Sequence, residues 1–556
     1  MHVGGQKYPW TFNEELNRIL PLFLECWVVF VNHIELFSGC GGLSLGLKHC
    51  GYELTLANEL SPMAAESFAY NFLDENLEEL AREGKSPNNT IWLNSNFDNL
   101  KRRLRENPFT FPSFNANTGY SDMPEDLTTL EGKLLVGSII ELNHLLDSSP
   151  KLVELLRTSF GSSRGLDLVS GGPPCQSFSM AGLREKNSDK NTLPWEFAKF
   201  VQHTKPKIAL LENVTGILRP FKGDDGSLFH AWYEVAKAFA GIGYVPLCLH
   251  INARFAGIAQ NRPRFIMIAV RLDHYKAILS KFKAGSSDSI LFAQSHEFFK
   301  LVQKQGSTLE FGHLKYFDVK DPADRKLIEE SFLSDLINHQ PVSVSQALDD
   351  LKHNYPSPQS EFVKTLNSTF DRLPIRNEIA NHEFRNNGEV VQRRFRLYQV
   401  LSNIDERAVT KSVFSVLKGE ADYVTSAAWS ACSQYRFLQV DGTLDYFERE
   451  SDFVDYLKAH PTKKQTQKAL IATSPAPAAL SIPDDACHYD EHELRVLTVR
   501  EMARIQSFPD NFVFRSKITT GGQMRKFEVP QYTQVGNAVP PLLGLRLGHC
   551  VAQLLG

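Results

Sequence analysis

The sequence predicts an α/β fold, a doubly wound and largely parallel sheet with a second, smaller domain inserted. Three observations carry that expectation. Short apolar runs alternate with helical periodicity over the first 272 residues, a glycine-rich turn follows the first run, and the pattern changes to mixed, irregular sequence between about 272 and 490.

At 556 residues the chain is too long for one ordinary core, and 42% hydrophobic with 22% charged residues places it in the globular class. The net charge of -4 neither announces nor excludes a nucleic-acid partner, because clustering of basic groups matters more than their sum. Eight scattered cysteines without a C-x-x-C pair argue against a disulfide framework or a metal site and suit a reducing, cytoplasmic setting. The apolar stretch 19–31 is interrupted by Pro21 and Glu25, so no secretory signal or membrane span is expected.

Residues 28–37 (VVFVNHIELF) read as the first buried strand, 38–42 (SGCGG) as a tight turn, and 43–48 as a helix with Leu43 and Leu47 apolar. Further strands are expected at 54–58, 167–170, 208–211 and 265–270, with helices at 194–202 and 228–240. The polar segment 74–133 breaks the rhythm and reads as an insertion, part helix and part loop. A helix is expected at 495–507, with Met502 and Ile505 on one side, and an apolar one over 540–555 opened by Pro540 and Pro541. The expected division is a main domain over 1–272, an inserted domain over 273–527, and a segment 528–556 returning to the first.

A glycine turn after a first strand lets backbone approach a ligand closely; here it is Phe37, Ser38, Gly39, Cys40, Gly41 and Gly42. Glu59 ends the second strand, where a carboxylate can accept from the ribose hydroxyls of an adenosine group. That pattern leaves NAD, a flavin or another adenosine cofactor open, and a purely structural turn as well.

The segment Ser170-Gly171-Gly172-Pro173-Pro174-Cys175-Gln176-Ser177-Phe178-Ser179 is more specific. Two glycines and two prolines make a rigid turn that presents a thiol at the sheet edge, which a merely buried cysteine does not need. As a thiolate, Cys175 is a capable nucleophile.

With this segment the chain resembles the C5-cytosine DNA methyltransferases. Six stretches resemble that family's motifs in its order: Phe37 to Gly42, Pro173 to Ser179, Glu212-Asn213-Val214, Gln260-Asn261-Arg262-Pro263-Arg264, Arg495 to Pro509, and Gln534-Val535-Gly536-Asn537-Ala538-Val539-Pro540. The resemblance implies a Rossmann-like S-adenosylmethionine-dependent methyltransferase domain with an inserted target-recognition domain. It implies S-adenosyl-L-methionine as cofactor, held by Phe37, Gly39, Gly41, Gly42, Glu59, Ser138, Ile139, Pro174, Asn537 and Ala538. One departure stands out: where the family often has a Gly-Asp-Ile segment for the adenine amino group, this chain has Gly137-Ser138-Ile139.

The implied chemistry is addition of the Cys175 thiolate to C6 of cytosine, which makes C5 nucleophilic toward a methyl group. Protonated Glu212 would serve N3, Arg264 the O2 oxygen, and Arg262 a phosphate or the orientation of Glu212, with Gln176, Ser179 and Gln260 as substrate contacts. The base must leave the duplex, and the region 273–525 is expected to offset that cost. Its basic clusters, Arg393-Arg394-Phe395-Arg396, Lys463-Lys464 with Lys468, and Arg515, Lys517, Arg525 and Lys526, are candidate phosphate contacts. Thr519-Thr520-Gly521-Gly522 reads as a turn near the DNA backbone or as an ordinary surface loop.

The expected partner is double-stranded DNA, with a cognate restriction endonuclease or other defence components alongside, in a prokaryotic cytoplasm; no membrane or metal is expected. Three other readings stay open. A transfer-RNA methyltransferase of the same fold would share the catalytic residues, but no Cys-Phe-Thr signature of that branch is present. A catalytically inactive DNA-binding relative would not need Cys175, Glu212, Arg262 and Arg264 intact. A nicotinamide-dependent dehydrogenase would leave the Pro-Cys segment unexplained.

Overall fold

Alternation of continuous apolar runs with amphipathic segments gives a sheet covered on both faces, because strands buried on both sides cannot alternate polar and apolar residues. The structure, a computed structural model, describes residues 31–113, 118–174, 192–222, 228–374, 378–462, 468–478 and 480–556. The expected start of the first strand at 28–30 lies outside them.

Strand β1 (Val31–Leu36) ends at Phe37, whose φ of 54° turns the chain out of the sheet into the glycine segment and helix α1 (Gly42–His49). Then come β2 (Tyr52–Glu59), α2 (Pro62–Phe72), β3 (Thr90–Trp92), β4 (Lys133–Val136), β5 (Leu168–Gly171) and β6 (Ile208–Val214). A small hairpin, β7 (Phe221–Lys222) with β8 (Leu228–Phe229), precedes β9 (Tyr244–Asn252), β10 (Pro263–Arg271) and β11 (Phe317–Asp318). The nine-stranded sheet has the order β11-β9-β10-β6-β5-β1-β2-β4-β3. Its strands are parallel except β10, which runs antiparallel to β6 and β9. The chain winds outward from β1 through β2 and returns to β5, so the order reverses between β1 and β5. A crevice for a ligand opens at that point, at the carboxyl ends of the strands.

Several expectations change in detail. The insertion 74–133 is not confined to helix and loop: β3 extends the sheet, and Leu77, Trp92, Leu100 and Leu104 share a buried cluster with Ala57, Ala65 and Phe68. The helix expected from 228 begins at Ala231, because 228–229 pair with β7. The helix expected over 495–507 is Val499–Ile505, started by a capping box in which Thr498 and Glu501 satisfy each other's backbone amides.

The core does not break at 272. Leu291, Phe292, Phe298, Leu333 and Leu348 pack into the same buried cluster as the sheet, and β11 adds a strand to it. A second cluster, from Leu397 to Leu457, is built by helices Glu389–Ile404, Arg407–Leu417, Ser426–Cys432 and Glu450–Ala459.

The C-terminal helix Pro541–Leu555 lies against α1 at backbone contact distance. A Cβ on Gly46 would stand 2.3 Å from Leu545 N, one on Gly42 2.2 Å from Val539 O, and Tyr52 donates to Gly548 O at 2.8 Å. A side chain at these glycines would have to push two backbones apart. Gly42→Ala is therefore expected to destabilise the fold by about 1–3 kcal/mol, read as a lower urea midpoint with an unchanged slope; a wild-type midpoint would show that this contact yields freely.

Candidate active site

The site forms where β5 and β6 end and the antiparallel β10 begins. Gly171 lies so close to β1 that a Cβ would stand 2.5 Å from Leu36 O, and a Cβ on Gly172 would stand 3.1 Å from Glu212 Oε2. The glycine pair thus lets the turn toward Cys175 pass beside the carboxylate. Asn213 donates from Nδ2 to Pro173 O at 2.9 Å, tying the end of β6 to the turn, while its Oδ1 accepts from Val214 N at 2.8 Å. Pro173 is buried and Pro174 exposed. Cys175, Gln176 and Ser179 lie outside the described residues, one step beyond this anchor.

Glu212 and Arg264 are both buried, and Arg264 Nε stands 2.6 Å from Glu212 Oε1. Val214 pairs with Arg264 and Glu212 with Ile266, so both ionic side chains stand on one face of the sheet. The residue that orients Glu212 is therefore Arg264. Arg262 instead donates from Nη2 to Gly536 O at 2.7 Å and Ala538 O at 3.0 Å, buried at 3% exposure, so the expected phosphate contact is replaced by a brace on the last motif. Burial pulls the pKa of both guanidinium groups down; at Arg262 the neighbouring Arg264 adds to the shift, and Glu212 opposes it at both. Gln260 is wholly buried and donates to Pro477 O at 2.9 Å, which makes it a strut of the chain rather than a surface for DNA.

The second half of the site is the glycine turn. Gly39 (φ 57°) has nothing within 4 Å of a notional Cβ, whereas Gly41 (φ 95°) lies 2.2 Å from the Phe72 ring by the same construction. Of the three glycines, Gly39 faces open space; Gly41 and Gly42 are spent on packing. Glu59 accepts from Gly39 N and Ser61 N, both at 2.8 Å, and burial raises its pKa despite those bonds. Gly137 N donates to Glu59 O at 2.9 Å, bringing the Ser138 segment alongside. Ser138 caps the helix Ile139–Ser148, accepting from Ile140 N at 3.2 Å, with Ile139 buried. Asn537, exposed, and Ala538, half-buried, close the far side. The buried Ser38 hydroxyl finds no partner among the described residues. An open cradle at Gly39, a carboxylate at its edge and an unpaired hydroxyl fit an adenosine-bearing cofactor.

A family profile for C-5 cytosine-specific DNA methylase matches residues 31–98 and 155–551. The chain belongs to that family. Its members include methyltransferases similar to this chain over nearly its whole length. The type II methyltransferase M.DdeI of Desulfomicrobium norvegicum is 23% identical over 94% of this chain and 88% of its own. The type II methyltransferase M.Bpa9945I of Bacillus paralicheniformis is 26% identical over 94% and 98%. Among solved structures, a candidate DNA modification methyltransferase encoded within an E. coli prophage aligns over 94% of this chain and 99% of that one, at 17% identity and a TM-score of 0.47. The family profile skips 99–154, which contains most of the insertion.

Membership makes this an α/β, Rossmann-like, S-adenosylmethionine-dependent methylase that acts on DNA cytosine by base flipping. Asn213 was not singled out by the sequence reading; its position next to Glu212 was the available signal. Two basic clusters are differently employed than expected. Arg393 and Arg396 are buried, donating to Gln439 O at 3.3 Å and Arg436 O at 2.7 Å, and Arg396 Nη2 pairs with Glu491 at 2.9 Å. Arg515 pairs with Glu78 at 3.0 Å and Lys517 with Glu528 at 2.5 Å. Lys468, Arg525 and Lys526 are exposed, and Lys463 and Lys464 lie outside the described residues.

Beneath the cofactor turn, Glu35 on β1 accepts from Ser44 of α1, and burial pushes its pKa up to about 8, with the charge of Glu59 adding to the shift. The unfolded chain releases this proton in the ordinary carboxylate range and the folded one keeps it to about 8. The stability it contributes is complete in acid and lost as pH rises across that window. Glu35→Gln, which keeps the acceptor, is expected to lose less unfolding free energy than wild type between about pH 5 and about pH 8 in paired urea melts. Parallel losses in the two proteins would contradict the assignment.

Proposed function

We propose that this chain is a DNA (cytosine-5-)-methyltransferase that modifies cytosine within a specific duplex sequence, in a restriction-modification or other defence system, with Cys175 as nucleophile. The observation that carries the reading is the convergence of Glu212, with Arg264 on it, beside Gly172 and of Asn213 on the Pro173 carbonyl, two residues before Cys175 in the sequence. The relatives named type II methyltransferases support the biological setting, and with it the reading takes a cognate endonuclease or other defence components as partners in a prokaryotic cytoplasm.

In this reading a flipped cytosine enters between the Cys175 turn and the face of β6 that carries Glu212. The Cys175 sulfur bonds to C6, and electron density moves through the ring toward N3 and C5. Glu212, protonated once the base is bound, gives its proton to N3 as that density arrives, and Arg264, beside it on the same face of the sheet, stabilises the O2 oxygen. S-adenosylmethionine, when bound at Gly39 and Glu59, supplies the electrophilic methyl group that C5 takes. A base, either a water or a side chain, then takes the C5 proton. The electrons of that C–H bond re-form the C5–C6 double bond as the C6–S bond breaks, the sulfur leaves as thiolate, and the N3 proton returns to Glu212. Arg262 keeps the Gly536–Ala538 carbonyls in place behind this centre. The exposed Lys468, Arg525 and Lys526 contact phosphates, and the second cluster from Leu397 to Leu457 forms the recognition domain.

A duplex in which cytosine is replaced by 5-fluorocytosine has no C5 proton to lose, so the sulfur stays bound. The wild-type protein with cofactor is expected to form a denaturation-resistant complex with that duplex, and Cys175→Ala none. Complex formation on fluorinated transfer RNA but not on duplex DNA would replace this reading with the RNA-directed one; equal complex formation by Cys175→Ala would end it.

A further inference from the structure

Close to the active site lies a cluster that the methylation chemistry leaves unused. His250 on β9 is buried at 5% exposure with both ring nitrogens engaged. Its Nδ1 stands 3.1 Å from Asp318 Oδ2, and its Nε2 3.2 Å from Thr215 Oγ1. A carboxylate can only accept, so Nδ1 carries the proton, and in the neutral ring Nε2 accepts from the Thr215 hydroxyl. The result is a directed chain from hydroxyl through imidazole to carboxylate.

Its anchorage is firm at the far end. Asp318 belongs to β11, in register with His250, and Val319 N donates to His250 O at 3.0 Å. Asp318 N in turn donates to Asp324 Oδ2 at 3.1 Å. At the near end, Thr215 is the residue directly after Glu212-Asn213-Val214. Phe265 pairs with Asn213 on one side and with His250 on the other, so Asn213 and His250 share a face of the sheet. That face is opposite to the one carrying Glu212 and Arg264. It is the face from which Asn213 reaches Pro173 O.

We infer that Asp318, His250 and Thr215 are positioning residues that hold the exit of β6 in register, so that Asn213 sets the Pro173 carbonyl and with it the turn presenting Cys175. Its carboxylate is supplied by the edge strand β11, which links the region after 272 to the exit of β6. The relay stands on the face opposite Glu212 and Arg264, so it acts on the rate of sulfur addition and leaves DNA affinity alone. A misplacement of about 1 Å at a reacting atom can lower a rate roughly a hundredfold, and a smaller one by correspondingly less.

This inference rests on Cys175 being the nucleophile, and the experiment separates the two. Duplex DNA made with 5-fluorocytosine at every cytosine is mixed with excess full-length enzyme and cofactor, and the rate of covalent complex formation in a single turnover is followed alongside DNA affinity. Thr215→Val, which keeps shape and removes the hydroxyl, is expected to slow complex formation at least roughly tenfold with DNA affinity unchanged, and Thr215→Ser to restore it. Asp318→Asn, which can offer an N–H where the ring needs an acceptor, is expected to match Thr215→Val and decides the matter if that variant does not fold. A wild-type rate in Thr215→Val or Asp318→Asn overturns the relay, as does Thr215→Ser being as slow as Thr215→Val. Absence of complex with the wild-type protein overturns the role of Cys175 instead.

Discussion

The site depends on a backbone-to-backbone contact between the two ends of the described chain. The Gly536–Val539 segment has to lie almost within van der Waals touch of the first turn of α1, and only glycine at 42 permits it. Arg262 fixes the same segment from the other side through two carbonyls. A buried guanidinium is costly to desolvate, and neutral carbonyls compensate it less well than a carboxylate would. Its retention where it joins β10 to the final motif is consistent with a need for geometry rather than for stability. The open space above Gly39 is what remains once Gly41 and Gly42 have been committed to packing.

Around that junction the two catalytic halves are held by opposite strategies. The glycine turn is shaped by absence of side chains, and Glu59 steadies it by accepting from two amides. The Pro-Cys turn is shaped by added contacts: Asn213 on its carbonyl, Glu212 beside Gly172, and Arg264 on Glu212. Because β6 carries polar side chains to both of its faces at its end, a single strand presents Glu212 on one face and, on the other, Asn213, which holds the Pro173 carbonyl. That division follows from the period of two in a strand.

Much of this was readable in the residues. Strand positions in the first half are legible from apolar runs too short for helices, Gly39 and Glu59 from the glycine turn and the end of the second strand, and Glu212 and Arg264 from motif order. Roles were less readable than positions. Nothing in Gln-Asn-Arg-Pro-Arg tells which arginine meets the carboxylate, since that depends on which face each side chain occupies once β10 has paired with β6. β3 escaped notice because three residues inside a polar stretch carry no periodic signal, yet Trp92 is wholly buried. The arginines at 393 and 396 looked like a DNA-binding cluster because charge in a sequence says nothing of burial. Their pairing with Glu491 and with carbonyls of 436 and 439 is set by tertiary contacts distant in the chain.

The two outermost strands of the sheet are three residues, β3, and two residues, β11. A sheet of nine strands would otherwise present long rows of unsatisfied amides and carbonyls to any neighbouring molecule. Tapering both margins to a few residues keeps the outermost strand short on each side among the described residues. Short margins of this kind limit edge-to-edge association of the sheet by geometry, a safeguard that the net charge of only -4 does little to supply.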